Sequence, residues 1–365
     1  MYVKSLILRD FRSYERVEIQ PALGMNVFSG SNAQGKTNLL EAIQLCCTGK
    51  SHRTSRDEEM IRWGSTGAKV TVQAQHQDGT HEVSVVLLRG QKKKKNVLIG
   101  ARQAERIGEL FGHICGVLFS PEDLLIIKGG PSERRRFLDI QLSQLRPYYF
   151  YALQRSAHVL LQRNALLKEI EFHPDLLPTL DMWDEQLALA GDAVVRGRRE
   201  ISEALSILAE EEHNILTNGT EKLSIRLSSD AAKESNPGEY LLRRLFETRE
   251  EDLRRGTTTT GIHRDDLLIT INGKDARIYA SQGQQRTAVL SLKLAQTVFA
   301  EKECGEPPIL MLDDVMSELD PVRRRFLSSR INRLQTFVTC TDPTDLSGAP
   351  EGLLFRVQDQ KVLLI

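Results

Sequence analysis

Eight consecutive residues, Gly30-Ser31-Asn32-Ala33-Gln34-Gly35-Lys36-Thr37, satisfy the pattern G-x-x-x-x-G-K-[ST] without deviation. The glycines let a loop wrap closely enough for backbone N–H groups and a following helix N-terminus to face phosphate oxygens. Lys36 adds a point charge for the β- and γ-phosphates, and the Thr37 hydroxyl can take a coordination position on Mg²⁺. A second pattern, Pro307-Pro308-Ile309-Leu310-Met311-Leu312-Asp313-Asp314, is an apolar run ending in two acids. Adjacent carboxylates repel unless a cation lies near them. Asp313 is therefore expected to hold Mg²⁺ through water, and Asp314 to polarise an attacking water. A third, Ser281-Gln282-Gly283-Gln284-Gln285-Arg286, opens a helical stretch. A serine cap followed by glycine leaves amides and a hydroxyl free for a second anion. Two phosphate-seeking ends in one chain predict that two chains face each other, each ATP held by one P-loop and by the partner's serine cap.

These groups need elements to place them. The apolar run MNVFSG before the P-loop reads as a strand, and TNLLEAIQLCC after it as a helix. Up to about Gly130 the chain alternates short β-type runs with turns, and Asp78-Gly79 between two alternating runs marks a hairpin. From Ser132 to about Asn218 apolar residues recur at three- and four-residue steps, broken at Phe172 to Pro178. This predicts two helices of about 30–38 residues folded as an antiparallel hairpin. Strand texture returns from Glu221, with helical stretches at 240–254, 282–303 and 321–334. The expected fold is α/β, a P-loop NTPase with an inserted helical-hairpin lobe. Residues 1–131 and 255–365 would form the head and residues 132–254 the lobe.

Composition sets limits on the class. The 365 residues carry 49 Lys plus Arg and 49 Asp plus Glu, so the chain as a whole exerts no net pull on nucleic acid and any such binding must come from local basic patches. Forty per cent hydrophobic content excludes a disordered chain, and no run of apolar residues is long enough for a membrane span. Five scattered cysteines without metal-ligand spacing fit a reduced, cytoplasmic protein. Basic residues cluster at Arg134-Arg135-Arg136, at Arg196, Arg198 and Arg199, and at Arg323-Arg324-Arg325. Each is expected to be a solvated helix face, or part of a phosphate-tracking groove if several converge. The run Lys92–Lys95 reads as a solvated loop.

Ser281-Gln282-Gly283-Gln284 resembles the signature motif of ABC-type ATPases. Over nearly the whole chain the sequence resembles the RecF family of bacterial DNA repair proteins, through FRSY (11–14), GSNAQGKTNLLEAI (30–43), FSPEDLLIIKGGPSERRRFLD (119–139), GIHRDDL (261–267), SQGQQRT (281–287) and LMLDDVMSELD (310–320). SMC ATPases share the head type but carry far longer coiled coils. The resemblance implies an ABC/SMC-type head that dimerises on ATP and binds single-stranded and gapped DNA, preferring junctions. It also implies cooperation with RecR and RecO in loading the RecA recombinase, in DNA repair and replication restart. By position it implies ATP binding by Gly30–Thr37, Mg²⁺ at Thr37 and Asp313, and γ-phosphate contact in trans by Ser281 and Gly283. Asp314 stands where many relatives carry a catalytic Glu; the shorter side chain fits a slow ATPase used as a switch. Ser317-Glu318-Leu319-Asp320 resembles the D-loop, which in that family lines the dimer interface. Two features of ABC heads lack a counterpart. Ser120, with Glu122 and Asp123 adjacent, stands near the place of the magnesium-touching Gln, and 339–342 near that of the switch His. Arg12 could reach the phosphates or base from its turn.

Two other classes compete. An ABC-type nucleotide-binding subunit coupled to another partner would need no DNA, and co-purification with a membrane protein would mark it. A P-loop kinase would have no use for the serine cap, and would stay monomeric at saturating ATP.

Overall fold

The computed structural model describes residues 1–91, 94–343 and 352–365, without the side chain of Glu318. The chain divides into two compact units, Met1–Asp123 with Lys293–Ile365, and Leu124–Leu292.

In the first unit a sheet runs in the order Lys361–Leu364, Gly352–Gln358, Met25–Ser29, Thr336–Cys340, Ile309–Asp313, Gly116–Phe119. All neighbours are parallel except the antiparallel edge strand Lys361–Leu364. Met25–Ser29, Thr336–Cys340 and Ile309–Asp313 are buried at every position, as parallel strands covered on both faces must be. A second, antiparallel sheet has the order Tyr14–Ile19, Tyr2–Phe11, Gly67–His76, Gly79–Leu88, Lys95–Ile99, Arg102–Gln103. His76 pairs directly with Gly79, so the Asp78-Gly79 hairpin forms where the sequence places it.

The helix Lys36–Thr48 is enclosed by this unit. From Leu39 to Cys47 every residue is buried, Glu41 and Gln44 included. Its Leu39, Leu40 and Ile43 share one apolar cluster with Val70 and Val83 of the antiparallel sheet and with Phe28 and Met311 of the parallel sheet. Burial of each large side chain is worth ~1.5–3 kcal/mol, so the P-loop helix is held from all sides.

The second unit contains the helices Pro131–Leu145, Pro147–Ile170 and Leu180–Leu216, the last two packed against each other. The first arm of the expected hairpin is thus two helices. Pro147 disfavours a helical residue before it, and Arg146 is extended at φ −135°, ψ 91°. A three-stranded sheet, Lys274–Asp275, Asp266–Ile271 and Leu223–Ser228, packs on Leu180–Leu216. Because Leu223–Ser228 pairs with Asp266–Ile271 over six residue pairs, residues 255–292 go with the helical unit. The expected division at 131 and 254 therefore differs from the observed one at 123 and 292.

The basic clusters of this unit are mostly internal. Arg134 forms two hydrogen bonds to Asp266 at 2.6 and 2.8 Å, and Arg135 donates to the Asp265 carbonyl. Arg198 is buried and binds both Asp139 and Asp265. Arg163 is fully buried between Asp184 and Asp252, at 2.6 and 2.7 Å. Arg199 donates to the carbonyls of Ala232 and Glu234. The expected solvated faces at 134–136 and 196–199 reduce to Arg136 and to Arg196, itself paired with Asp192. Of the lysine run, Lys94 and Lys95 pair with Glu58 and Asp57, while Lys92 and Lys93 lie outside the described residues. Among the described residues no helix is long and apolar enough to cross a membrane.

Candidate nucleotide site

The P-loop leaves the end of Met25–Ser29 and enters the helix at Lys36. A Cβ on Gly30 would sit 2.3 Å from the Val357 carbonyl oxygen, so only glycine allows the chain past the neighbouring strand. Gly35 is left-handed at φ 105°, and its absent side chain makes room for Ser13 and Tyr14. Tyr14, fully buried, donates from its hydroxyl to the Gly35 carbonyl at 3.0 Å. Lys36 is almost fully buried, its ammonium donating to the carbonyls of Gly30 and Ser31 at 2.6 and 3.1 Å. A cation is thereby fixed against the loop's own backbone carbonyls. Ser31, Asn32, Ala33 and Gln34 form the outward arc, and the Gln34 side chain accepts from the Asp359 amide at 2.9 Å.

Sheet register brings the acid to the loop. Asp313 lies beside Thr339, and Cys340 beside Ser29, so the ends of three adjacent parallel strands converge. Thr37 and Thr339 each donate a hydroxyl hydrogen to Asp313 Oδ1 at 2.8 Å. Burial pushes the Asp313 carboxyl above the usual range, Thr339 and Thr37 oppose that, and Asp314 and Glu122 reinforce it. Asp314 is left-handed at φ 52° and donates its N–H to Thr339 Oγ1 at 2.9 Å. One of its carboxylate oxygens is buried with no hydrogen-bond partner. Such an atom is costly unless a cation or water reaches it. The donor set here, a threonine hydroxyl and two carboxylates, is hard oxygen and fits Mg²⁺. Among the described residues no three His, Cys, Asp or Glu side chains are grouped so as to hold a metal ion.

Arg12, expected to reach the phosphates or base, is instead engaged within the chain, beside several neighbours that escaped the sequence reading. Arg12, left-handed at φ 53°, forms two hydrogen bonds to Glu41 at 2.8 and 2.6 Å and a third to the Glu59 carbonyl. Its guanidinium is thus engaged by the P-loop helix. Ser51 also donates to Glu41, and Arg53 to Asn38. Burial raises the Glu41 carboxyl, but hydrogen bonds from Arg12 and Ser51 and the charges of Arg12 and Arg53 outweigh it and hold it low. Both ring nitrogens of His52 are buried without a hydrogen-bond partner, and burial holds the ring below the usual histidine range. The one signal was Ser51-His52-Arg53-Thr54, a polar run directly after the helix-ending Gly49. Near the place of the missing Gln, the Ser120 amide donates to Asp123, which meets Lys293 at 3.4 Å. Burial raises Asp123 and lowers Lys293, each opposed by the other's charge.

In the second unit, Ser281 and Gln284 form a capping box. The Gln284 amide donates to Ser281 Oγ at 3.3 Å, and the Ser281 amide to Gln284 Oε1 at 2.9 Å. Ser281 and Gln282 are exposed, with Gly283 beside them. In the first unit, Ser317 donates to the Asp314 carbonyl, and Asp320 caps Pro321–Ile331 by accepting from the amides of Val322 and Arg323 at 3.0 Å. Asp320 also pairs with Arg323, and Arg324 donates to the Leu319 carbonyl, so of that basic cluster Arg325 is the exposed member.

Comparison with known proteins agrees with this architecture. Residues 2–362 match the family model described as RecF/RecN/SMC N terminal domain. The chain is 44% identical to the DNA replication and repair protein RecF of Ruminiclostridium cellulolyticum over 94% of its own length and 93% of the relative's. It is 43% identical to that of Halothermothrix orenii, covering 98% of both chains. A solved structure of the recombination mediator protein RecF-ATPrS in the RecFOR pathway superposes with TM-score 0.92 at 34% identity, covering 100% of this chain and 98% of that one. An Smc head from Pyrococcus furiosus gives TM-score 0.57 at 17% identity, a likeness of fold. With a P-loop and a Thr37–Asp313 pair in its first unit, a serine-capped helix in its second and an α/β fold of the ABC/SMC type, the chain belongs to the RecF family of DNA replication and repair proteins.

Proposed function

We propose that this chain is an ATP-gated DNA-binding protein that dimerises head to head on ATP and acts at gapped and single-stranded DNA. In this role it works with RecR and RecO to load the RecA recombinase. The observation that carries the reading is the Thr37–Asp313 hydrogen bond, which joins P-loop and acidic strand end across an intervening strand. Family membership supports the repair role, and relatives solved as RecF-ATPrS and RecF-ATP support ATP as the ligand.

In this reading the amides of Gly30–Thr37 and the Lys36 ammonium bind the triphosphate, replacing the Gly30 and Ser31 carbonyls as partners of Lys36. Mg²⁺, when bound, neutralises phosphate charge beside Thr37 and Asp313. Asp314 orients and deprotonates water with its unpartnered oxygen, and Thr339 fixes both aspartates. The Ser281 hydroxyl accepts from Gln284, so its own hydrogen is free to meet the γ-phosphate of a second copy, with Gln282, Gly283 and Gln284 presenting the helix end. Ser317 ties the D-loop to Asp314 and Asp320 fixes the next helix, linking the dimer face to the water-polarising residue.

Lys36→Ala and Ser281→Ala should each abolish ATP-driven association seen by light scattering. Mixed, they should regain heterodimers with one intact composite site. Absence of recovery would sink the shared-site arrangement. DNA binding should require ATP and fall steeply with salt as counterions are released. A flat titration would remove the phosphate-tracking surface.

A further inference from the structure

The signature cap is tied by a hydrogen bond to Glu221, which lies beside His213 at the far end of the long helix Leu180–Leu216. Gln284 donates from Nε2 to Glu221 Oε1 at 3.0 Å, and the other Glu221 oxygen lies 3.3 Å from His213 Nε2. His213, fully buried, reaches Ser291 Oγ through Nδ1 at 3.2 Å. Ser291 donates to the Thr287 carbonyl at 2.9 Å, and Thr287 to the Gly283 carbonyl at 2.8 Å. These contacts begin at Gln284 and return to Gly283, on the first turns of the signature helix, with Glu221 and His213 at ion-pair distance between them.

Hydrogen-bond polarity orients the groups around it. The single Ser291 hydrogen goes to the Thr287 carbonyl, so Ser291 Oγ accepts from His213 Nδ1–H. A carboxylate acceptor at Glu221 makes a stronger partner for Gln284 Nε2 than a neutral oxygen would. That bond aims the opposite end of the same amide, Oε1, at the Ser281 N–H, and so sets the rotamer on which the capping box depends.

We infer that Glu221 and His213 are positioning residues for the trans site, holding Gln284 so that Ser281 is presented to the nucleotide of a second copy. The inference rests on the reading that Ser281 acts in trans. The generic alternative is that the pair merely stabilises the second unit. A role through the cap makes a prediction that stability alone does not: a Glu221 variant must behave as a signature-side lesion that a partner with a broken P-loop can complement.

The test is ATP-driven association by light scattering with the full chain. Glu221→Ala should weaken dimerisation about tenfold, corresponding to ~1.4 kcal/mol, with ATP affinity of the monomer unchanged. Glu221→Gln, which can still accept from Gln284, should recover most of the loss. Mixed with Lys36→Ala, Glu221→Ala should form heterodimers as readily as Ser281→Ala does. Glu221→Ala with Gln284→Ala should be no worse than Gln284→Ala alone. If Ser281→Ala is complemented by Lys36→Ala and Glu221→Ala is not, the positioning role fails and the trans site stands. If neither is complemented, the trans reading itself has failed. Unimpaired dimerisation of Glu221→Ala, or full additivity with Gln284→Ala, would also overturn the inference.

Discussion

The two phosphate-seeking ends of this molecule are built in opposite ways. At the P-loop, backbone amides, two glycines and a lysine do the work within eight consecutive residues, on strand ends buried at every position. At the serine cap, orientation depends on side chains gathered from positions 213, 221, 284, 287 and 291. The first is stiff because its frame is a sheet. The second is adjustable because its frame is a relay, and relays can be broken from a distance. On the proposed reading, this contrast makes ligand capture local to the first unit, whereas presentation of the cap is governed from within the second.

If the contrast holds, damage to the second unit should spare nucleotide capture. Arg198→Ala leaves Asp139 and Asp265 buried without their cation, and breaking such a pair costs ~3–5 kcal/mol. Urea denaturation should show this loss, while ATP affinity of the remaining folded protein stays as it was; a parallel loss of affinity would break the division of labour. Lys36→Ala should do the reverse. Calorimetric titration should find ATP affinity lowered at least about 30-fold, from the ~2–5 kcal/mol of a truncated buried charge contact, with thermal stability nearly intact.

A smaller effect concerns Glu41. Its carboxyl titrates below the unfolded value, so its stabilisation is complete above the ordinary glutamate range and is lost as pH falls through the depressed value. Glu41→Gln should cost ~1–3 kcal/mol near neutrality by leaving Arg12 short of its acceptor, and should flatten the acid limb of the stability curve. Smallest of all, Arg136→Ala or Arg325→Ala should each reduce the slope of log affinity for DNA against log salt by about 1 if that arginine meets a phosphate.

Legibility in the sequence followed the same divide. The P-loop, the acidic strand end and the serine cap were readable because each is a short string whose spacing is its geometry. The Asp78-Gly79 hairpin was readable for the same reason. Pro147 should have ended a helix, but the apolar period ran through it and masked the break. What no local pattern could reveal is pairing across the chain. Leu223–Ser228 finds Asp266–Ile271 through backbone hydrogen bonds, which moved residues 255–292 into the helical unit. Arg134 and Arg198 looked like surface charge because their acids, at 266 and at 139 and 265, stand far away in sequence. Equal numbers of opposite charges were therefore a sign of internal neutralisation as much as of a neutral exterior.

The strand that feeds the P-loop has a consequence for how the protein is made. Met25–Ser29 is hydrogen-bonded on one side to Thr336–Cys340 and on the other to Gly352–Gln358. Both flanks leave the ribosome about three hundred residues after the loop itself. A nascent chain paused anywhere before them carries the phosphate-binding string without the sheet that shapes it. On the proposed reading, nucleotide capture therefore waits until both of those strands have been made.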